Sequence, residues 1–366
     1  MTSAQADGPA QRAAAGAMGS GYAKHSGVQH SAESNGMPML ARALEAVALP
    51  AEGAPFRAAD LGAAAGTNSL DPMRAVVEGV RARTGTDTPV TVVHTDILAN
   101  DFNALLTNVL TTPGTYAAMP GVFAFAEARS FYERLFPARE LHLAWTAIAV
   151  HWLSRAPETI ADHIFSTRAP ADVQAAFQKQ ARDDWAAFLT HRADELVPGG
   201  QLVVVGGAAA DDRSSGAEGL MDAANAVLVE LVGDGTLRTA EYARMTIPTW
   251  NRTRAEFLAP LQDDGPLARA WHVEEHDLLA LPDTLLEAYE RTGDVHAFAD
   301  AVAEFFTAAF VPSLWSALDG ARDPADVTAL TSAFESRLKA RIAADPRAVE
   351  THWHVVLLRL TRRERD

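Results

Sequence analysis

The stretch Phe56-Arg-Ala-Ala-Asp-Leu-Gly-Ala-Ala-Ala-Gly-Thr-Asn68 leaves this chain few architectures, because a run short enough for a buried strand passes through a glycine–alanine turn straight into a helical pattern. Asn68 or Ser69 can cap that helix, which carries Leu70, Met73, Val76, Val77 and Val80 on one side. A second β/α unit comes next. Val90-Thr-Val-Val-His-Thr-Asp96 is a β-branched run ending in an acid, and it leads into a helix expected over 101–109. Gly121-Val-Phe-Ala-Phe-Ala126 and Leu141-His-Leu-Ala-Trp-Thr146 are further strand candidates, each short enough to be buried in a parallel sheet. A long amphipathic stretch then sets Phe177, Ala181, Trp185, Phe188, Leu189 and Leu196 on one side. Pro198-Gly-Gly200 is expected to stop it before the strand Gln201-Leu-Val-Val-Val-Gly206. Strands alternating with helices in this way predict an α/β fold on a doubly wound, mostly parallel sheet.

Past that strand the composition changes: Gly206–Gly216 is small and polar, and a boundary is expected there. The chain beyond it reads as mainly helical. Thr253-Arg-Ala-Glu256 has the spacing of a capping box, and Phe298, Val302, Phe305, Phe306 and Phe310 recur as a core stripe of one helix. Thr351–Thr361 is β-rich and is expected to return to the edge of the main sheet. The predicted organisation is therefore a disordered tail over 1–20, a ligand-binding α/β domain over 21–206 with an N-terminal lid helix, a mainly helical cap over 207–345, and a closing strand within 346–366.

At 366 residues with 48% apolar content, the chain can bury a sizeable interior, in one large domain plus an insertion. Lys+Arg 31 against Asp+Glu 47 leaves a net charge of −16, which repels phosphate backbones and anionic bilayers, so neither nucleic acid nor membrane is an expected partner. The absence of cysteine excludes disulfides and thiolate metal sites. No run of about 18 apolar residues occurs. Met1–Ala17 lacks the apolar centre of a signal peptide and reads as the tail of a cytoplasmic protein.

Chemistry enters at two strand ends. Asp60 closes the first strand beside Gly62 and three alanines that let a ligand approach the backbone, at the sheet edge where α/β proteins bind ligands. The turn by itself serves helix–sheet packing equally well, and no Lys-Ser or Lys-Thr comes after it to make it a phosphate loop. Asp96 closes the second strand. Two strand-end carboxylates suit a ligand with an ammonium group and a ribose diol, as in S-adenosylmethionine, better than the pyrophosphate of NAD. Finally, Tyr22, Ser26 and Gln29 fall at i, i+4 and i+7, so a helix there presents one polar face, either a lid over the site or a solvated face at a frayed end.

Taken in order, Tyr22-Ala-Lys-His-Ser-Gly-Val-Gln29, Ala59–Asn68, Asp96 with Asn100-Asp-Phe-Asn103, Ser130-Phe-Tyr-Glu-Arg-Leu-Phe-Pro137 and Val150-His-Trp-Leu-Ser154 resemble the SABATH family of carboxyl methyltransferases, in a version that suggests a bacterial member. The resemblance runs from about Tyr22 to Arg363. It implies a class I methyltransferase fold and S-adenosylmethionine as cofactor, with Tyr22, Ser26, Asp60, Gly62 and Asn68 around the methionine end. Asp96 is implied at the ribose, Ile97 on the adenine, and Ser130 and Phe131 around it. Gln29 and Trp152 match two uncharged clamps for the acceptor's carboxylate, and Ile148, His151 and Trp250 shape its pocket. Departures bear on the identity of the acceptor and leave the implied methyl-transfer geometry untouched: Ile148 stands where Tyr is common, Ala128-Arg129 replaces the Pro-Gly before Ser130-Phe131, and Ala63 replaces a Cys.

A carboxylic acid, with a pKa near 4, is ionised at neutral pH, so methylation of its oxygen needs no base, and His151 reads as pocket wall. No catalytic metal is expected. The implied reaction is methyl ester formation on an aromatic or hormone-like acid by direct in-line transfer. Its alternatives are methylation of a ring nitrogen or phenol, or a silent cofactor-binding partner subunit. A homodimer is the expected assembly.

Overall fold

A computed structural model describes residues 27–262 and 264–364, with side chains from residue 32 onward. Five strands come first: β1 (Phe56–Leu61), β2 (Val90–Asp96), β3 (Val122–Ala128), β4 (Leu141–Ala147) and β5 (Leu196–Ala209). They pair in parallel with β1 between β2 and β4, β3 outside β2 and β5 outside β4. The chain thus winds outward from β1 in both directions, as the alternation predicts. Successive residues serve opposite faces: Leu143, Val203 and Val205 join one apolar core, and Ala144, Leu202 and Val204 the other. The first core is closed by α1 (Gly27–Ala46), α2 (Leu70–Thr84) and α3 (Phe102–Thr111). The second is closed by α4 (Ala171–Glu195), α7 (Arg254–Gln262) and α8 (Pro266–Ala270).

Helix α1 lies close on the sheet because Gly36 has no side chain: an added Cβ would sit 2.4 Å from Val205 Cγ2 and 2.9 Å from the Trp145 ring. Asp101 caps α3, its carboxylate accepting the N–H groups of Asn103 and Ala104. Ser69 does stand at the N-cap of α2, although its hydroxyl makes no capping bond. The capping box at Thr253 and Glu256 forms, each backbone N–H donating to the other's side chain at 2.9 and 3.2 Å.

Four expectations need correction. The run at 121–126 is not buried, because β3 is the last strand on its side, and Phe123 and Phe125 are each 53% exposed. Pro198-Gly-Gly200 does not halt the chain before the strand; β5 already pairs at Leu196, and the turn is absorbed as a register shift against β4 between Leu141 and Leu143. The boundary drawn at 206 falls inside β5, which runs on to Ala209 and takes the two-residue β6 (Arg252–Thr253) beside it. The C-terminal run, β8 (His354–Arg362), is not the edge. It lies antiparallel between β5 and β7 (Trp271–Ala280), and β7, rich in Glu and Asp, forms the outer strand.

Segment 207–345 also builds the helical cap. There α10 (Val295–Trp315) buries Phe298, Val302, Phe305, Phe306 and Phe310 against α5 (Glu218–Gly233) and α11 (Pro324–Ala344) in a third core. By length and composition α10 is apolar enough to cross a bilayer. Here that apolarity is spent within the cap, while Asp300 and Glu304 pair with Lys339 on its polar side.

Candidate active site

The carboxyl ends of β1 and β2 meet the turn at 62–69. Asp60 is 4% exposed, and Nδ1 of the buried His94 donates to its Oδ2 at 2.8 Å, while the other ring nitrogen accepts from the Tyr116 hydroxyl. This chain from Tyr116 through His94 fixes the orientation of the Asp60 carboxylate. Gly62 has φ +83°, and a Cβ there would lie 2.5 Å from that of Ala149, so only glycine brings the turn this close.

Asp96 holds the same turn from the far side. Its Oδ2 accepts the Ala64 N–H at 2.7 Å and its Oδ1 the Ile97 N–H at 2.8 Å, leaving each oxygen a further lone pair for a ligand. Ala64 adopts a left-handed φ of +47°, and the Asn100 and Asn108 amides donate to the Ala64 and Ala65 carbonyls, both at 2.8 Å. Burial pushes the Asp96 carboxyl up to about 6, opposed by the two backbone donors.

Two cavities open at this edge. A narrow one, about 40 Å³, is lined by Glu33 of α1, Asp60, Asn68 and Ser69. The larger, about 500 Å³, is lined by Asp96, Ile97, Ser130, Phe131, Ile148 and Trp152, among others. Gly62, Ala64, Ala147 and Ile148 belong to both walls. Ile148 has φ +52°, a conformation rare for a β-branched residue, kept in place by its N–H on the Val205 carbonyl at 2.7 Å.

Remote elements position the walls. A fully buried ion pair, Arg192 with Glu195 at 2.7 Å, reaches the 131–136 segment: Arg192 donates to the Phe131 and Glu133 carbonyls, and Glu195 accepts the Leu135 and Phe136 N–H groups. The Tyr132 hydroxyl and Arg252 both donate to the Val150 carbonyl, and Tyr132 also to that of Trp152. Trp152 is 7% exposed and spans two environments, lining the larger cavity while its ring sits 6.0 Å from Phe310 in the cap core. Its indole N–H has no hydrogen-bond partner among the described residues. Burial, and then the Arg252 charge, drive the His151 imidazole down to about 3, so it is neutral at physiological pH.

The strand-end acids, Gly62, Asn68, Ile97, Ser130, Phe131, Ile148 and Trp152 therefore converge on the two cavities, as the sequence suggests. His151 lines neither cavity, its ring lying against Gly207 of β5, and Trp250 does not join them either. Its indole lies in a cluster with Phe177 and Ala181 under α4 and lines a different cavity beside Glu256. Tyr22 and Ser26 lie outside the described residues, as does the side chain of Gln29, whose backbone is in α1. Sequence reading missed Glu33, His94, Tyr116 and Arg192. Glu33 had a signal: it stands four residues beyond Gln29 and so continues the polar spacing that begins at Tyr22.

The site fits S-adenosylmethionine. An acidic recess around Asp60 suits an ammonium group, Asp96 has free acceptors for a diol, and Ile97 and Phe131 supply apolar walls for a purine.

Comparison with known proteins agrees. The family model for SAM-dependent carboxyl methyltransferases matches residues 10–356. A methyltransferase of Fusarium sp is 31% identical over 304 residues, which is 78% of this chain and 79% of that protein. A Theobroma cacao protein with the name probable 7-methylxanthine methyltransferase 3 is 27% identical, over 67% of this chain and 72% of its own. Among solved structures, loganic acid methyltransferase with SAH has the same fold, with a TM-score of 0.73 at 21% identity over 98% of both chains.

Proposed function

This chain belongs to the SAM-dependent carboxyl methyltransferase family, and from that premise we propose that it forms methyl esters of small-molecule carboxylic acids. The observation that carries the reading is Trp152 in the wall of the larger cavity: its indole N–H has no hydrogen-bond partner among the described residues, and the neighbouring His151 is held neutral by burial. A carboxylate is already ionised at pH 7, its ordinary pKa being near 4, so an uncharged donor that orients it is sufficient, and a cation would only quench it. When bound, S-adenosylmethionine supplies an electrophilic methyl group that the carboxylate oxygen takes in line.

The protein's own work is orientation and exclusion of water. Trp152 holds the acid, with Gln29 as its partner clamp. Tyr132 and Arg252 fix the backbone that carries the indole, and Phe310 closes the cap over it. Positioning of this kind can supply about 7–11 kcal/mol of a barrier without any acid or base.

A relative named for 7-methylxanthine favours a second reading, in which a ring nitrogen accepts the methyl group. Such an acceptor must lose a proton, and His151, at about 3, is a poor group to take it. Screening a panel of small carboxylic acids and xanthines for methylated product, at saturating cofactor, separates the two. Methyl esters with a nearly flat acceptor kcat/KM from about pH 7 to 8 are expected. N-methylated product, or a profile that climbs through a histidine-like pKa and flattens in His151→Ala, would reject ester formation.

A further inference from the structure

Glu33 is a carboxyl for which the described site has given no task. It is 3% exposed, and its Oε2 has no hydrogen-bond partner among the described residues, although it lines the narrow cavity beside Asp60. The groups that face it are Asp60 of β1, Asp71 in the first turn of α2 and, behind Asp60, the His94 ring of β2. Among the described residues no lysine or arginine lines the recess. A narrow space between two carboxyls, with one oxygen left unpaired, is an incomplete arrangement. A compact cation with several N–H donors would complete it.

We propose that Glu33 is the second acceptor, opposite Asp60, for the α-ammonium group of the cofactor's methionine end, and that it gives its proton to solvent as that group enters. The inference rests on the cofactor alone and is independent of the acceptor. Burial, followed by the charges of Asp60 and Asp71, lifts the Glu33 carboxyl to about 8, so the ligand-free protein carries it protonated at pH 7. An ammonium group at hydrogen-bond distance reverses the balance and favours the carboxylate. The O–H bond of Glu33 breaks, the proton passes to buffer, and a charge-assisted hydrogen bond forms in its place. Affinity must then rise between about pH 6 and 8, by up to about tenfold per unit, until the ligand's own ammonium group begins to lose its proton.

Calorimetric titration of the full chain with S-adenosylhomocysteine at pH 7, in two buffers of different ionisation enthalpy, counts the protons. Release approaching one proton per ligand is expected. 5′-Methylthioadenosine, which lacks the amino-acid end, should release none. Glu33→Gln should abolish the release and weaken S-adenosylhomocysteine about tenfold or more, while Asp71→Asn, which leaves Glu33 in place, should retain the release. Binding of S-adenosylhomocysteine without proton release overturns the proposal, as does undiminished release or an affinity within twofold in Glu33→Gln. Should that variant not fold, the wild-type contrast between the two ligands decides alone. No binding of S-adenosylhomocysteine at all would instead fault the cofactor assignment.

Discussion

Asp96 is committed to its own backbone before any ligand arrives, since both oxygens already accept an N–H group, from Ala64 and from Ile97. Removing the whole carboxylate therefore loosens the turn as well as the ribose contact. Asp96→Asn is the cleaner probe: it keeps one carbonyl acceptor and loses the charge, and should weaken S-adenosylhomocysteine by about tenfold, since a hydrogen bond to a charged group is worth about 1.5–3 kcal/mol. Unchanged affinity by calorimetry would contradict the ribose assignment. Trp152 is the opposite case, an N–H with no internal partner among the described residues. Trp152→Phe keeps the ring against Phe310 and deletes only the donor, so turnover on a carboxylic acid should drop at least tenfold while cofactor affinity stays within about threefold. Parallel loss of both would make the indole structural.

Among elements, the clearest dependence runs from α4 to the segment after β3. Arg192 and Glu195 are both fully buried, and between them they satisfy two carbonyls and two N–H groups of residues 131–136. The ion pair is thus a scaffold for Phe131 more than a source of net stability. Arg192→Met strands the Glu195 charge in the core and should cost about 3–5 kcal/mol in denaturant unfolding. Double replacement, Arg192→Met with Glu195→Leu, should recover much of that stability while S-adenosylhomocysteine affinity stays low, because no side chain then holds the loop. If the double variant binds normally, the pair does not position the adenine wall.

For the whole molecule, the buried acid leaves a mark on global stability. The folded-state value for Glu33, about 8, lies above the ordinary value for Glu, about 4.3, so the protonated form is the one folding favours. Its contribution is fully present below about pH 4.3 and is lost as pH rises through about 8, since across that window the folded chain binds a proton that the unfolded chain does not. Ligand-free wild type should therefore lose stability relative to Glu33→Gln between about pH 5 and 8, with the gap in Tm widening toward the alkaline end. Asp96, raised to about 6, contributes a similar slope to both proteins and cancels in the comparison. Parallel Tm curves for the two would show that Glu33 carries no such burden.

What could be read along the chain was whatever repeats locally. Short apolar or β-branched runs located β1, β2 and β4, helical spacing located the Phe298–Phe310 stripe of α10, and Thr253 with Glu256 announced its own capping box. The acids Asp60 and Asp96 were legible from their places at strand ends, whereas Ser130, Phe131 and Trp152 were legible only through the resemblance of their motifs to the carboxyl methyltransferase family. Tertiary structure alone decided that β8 enters between β5 and β7, that β3 is left at the edge, and that Trp250 faces α4 instead of the site. It alone also joined Tyr116 to Asp60 through His94, Arg192 to Phe131 across 61 residues, and Glu33 to a recess of acids. Periodicity reports which face of an element is apolar, whereas strand order and buried polar partners depend on which distant faces close upon one another, and that choice is made by packing and by the need to satisfy each buried polar group.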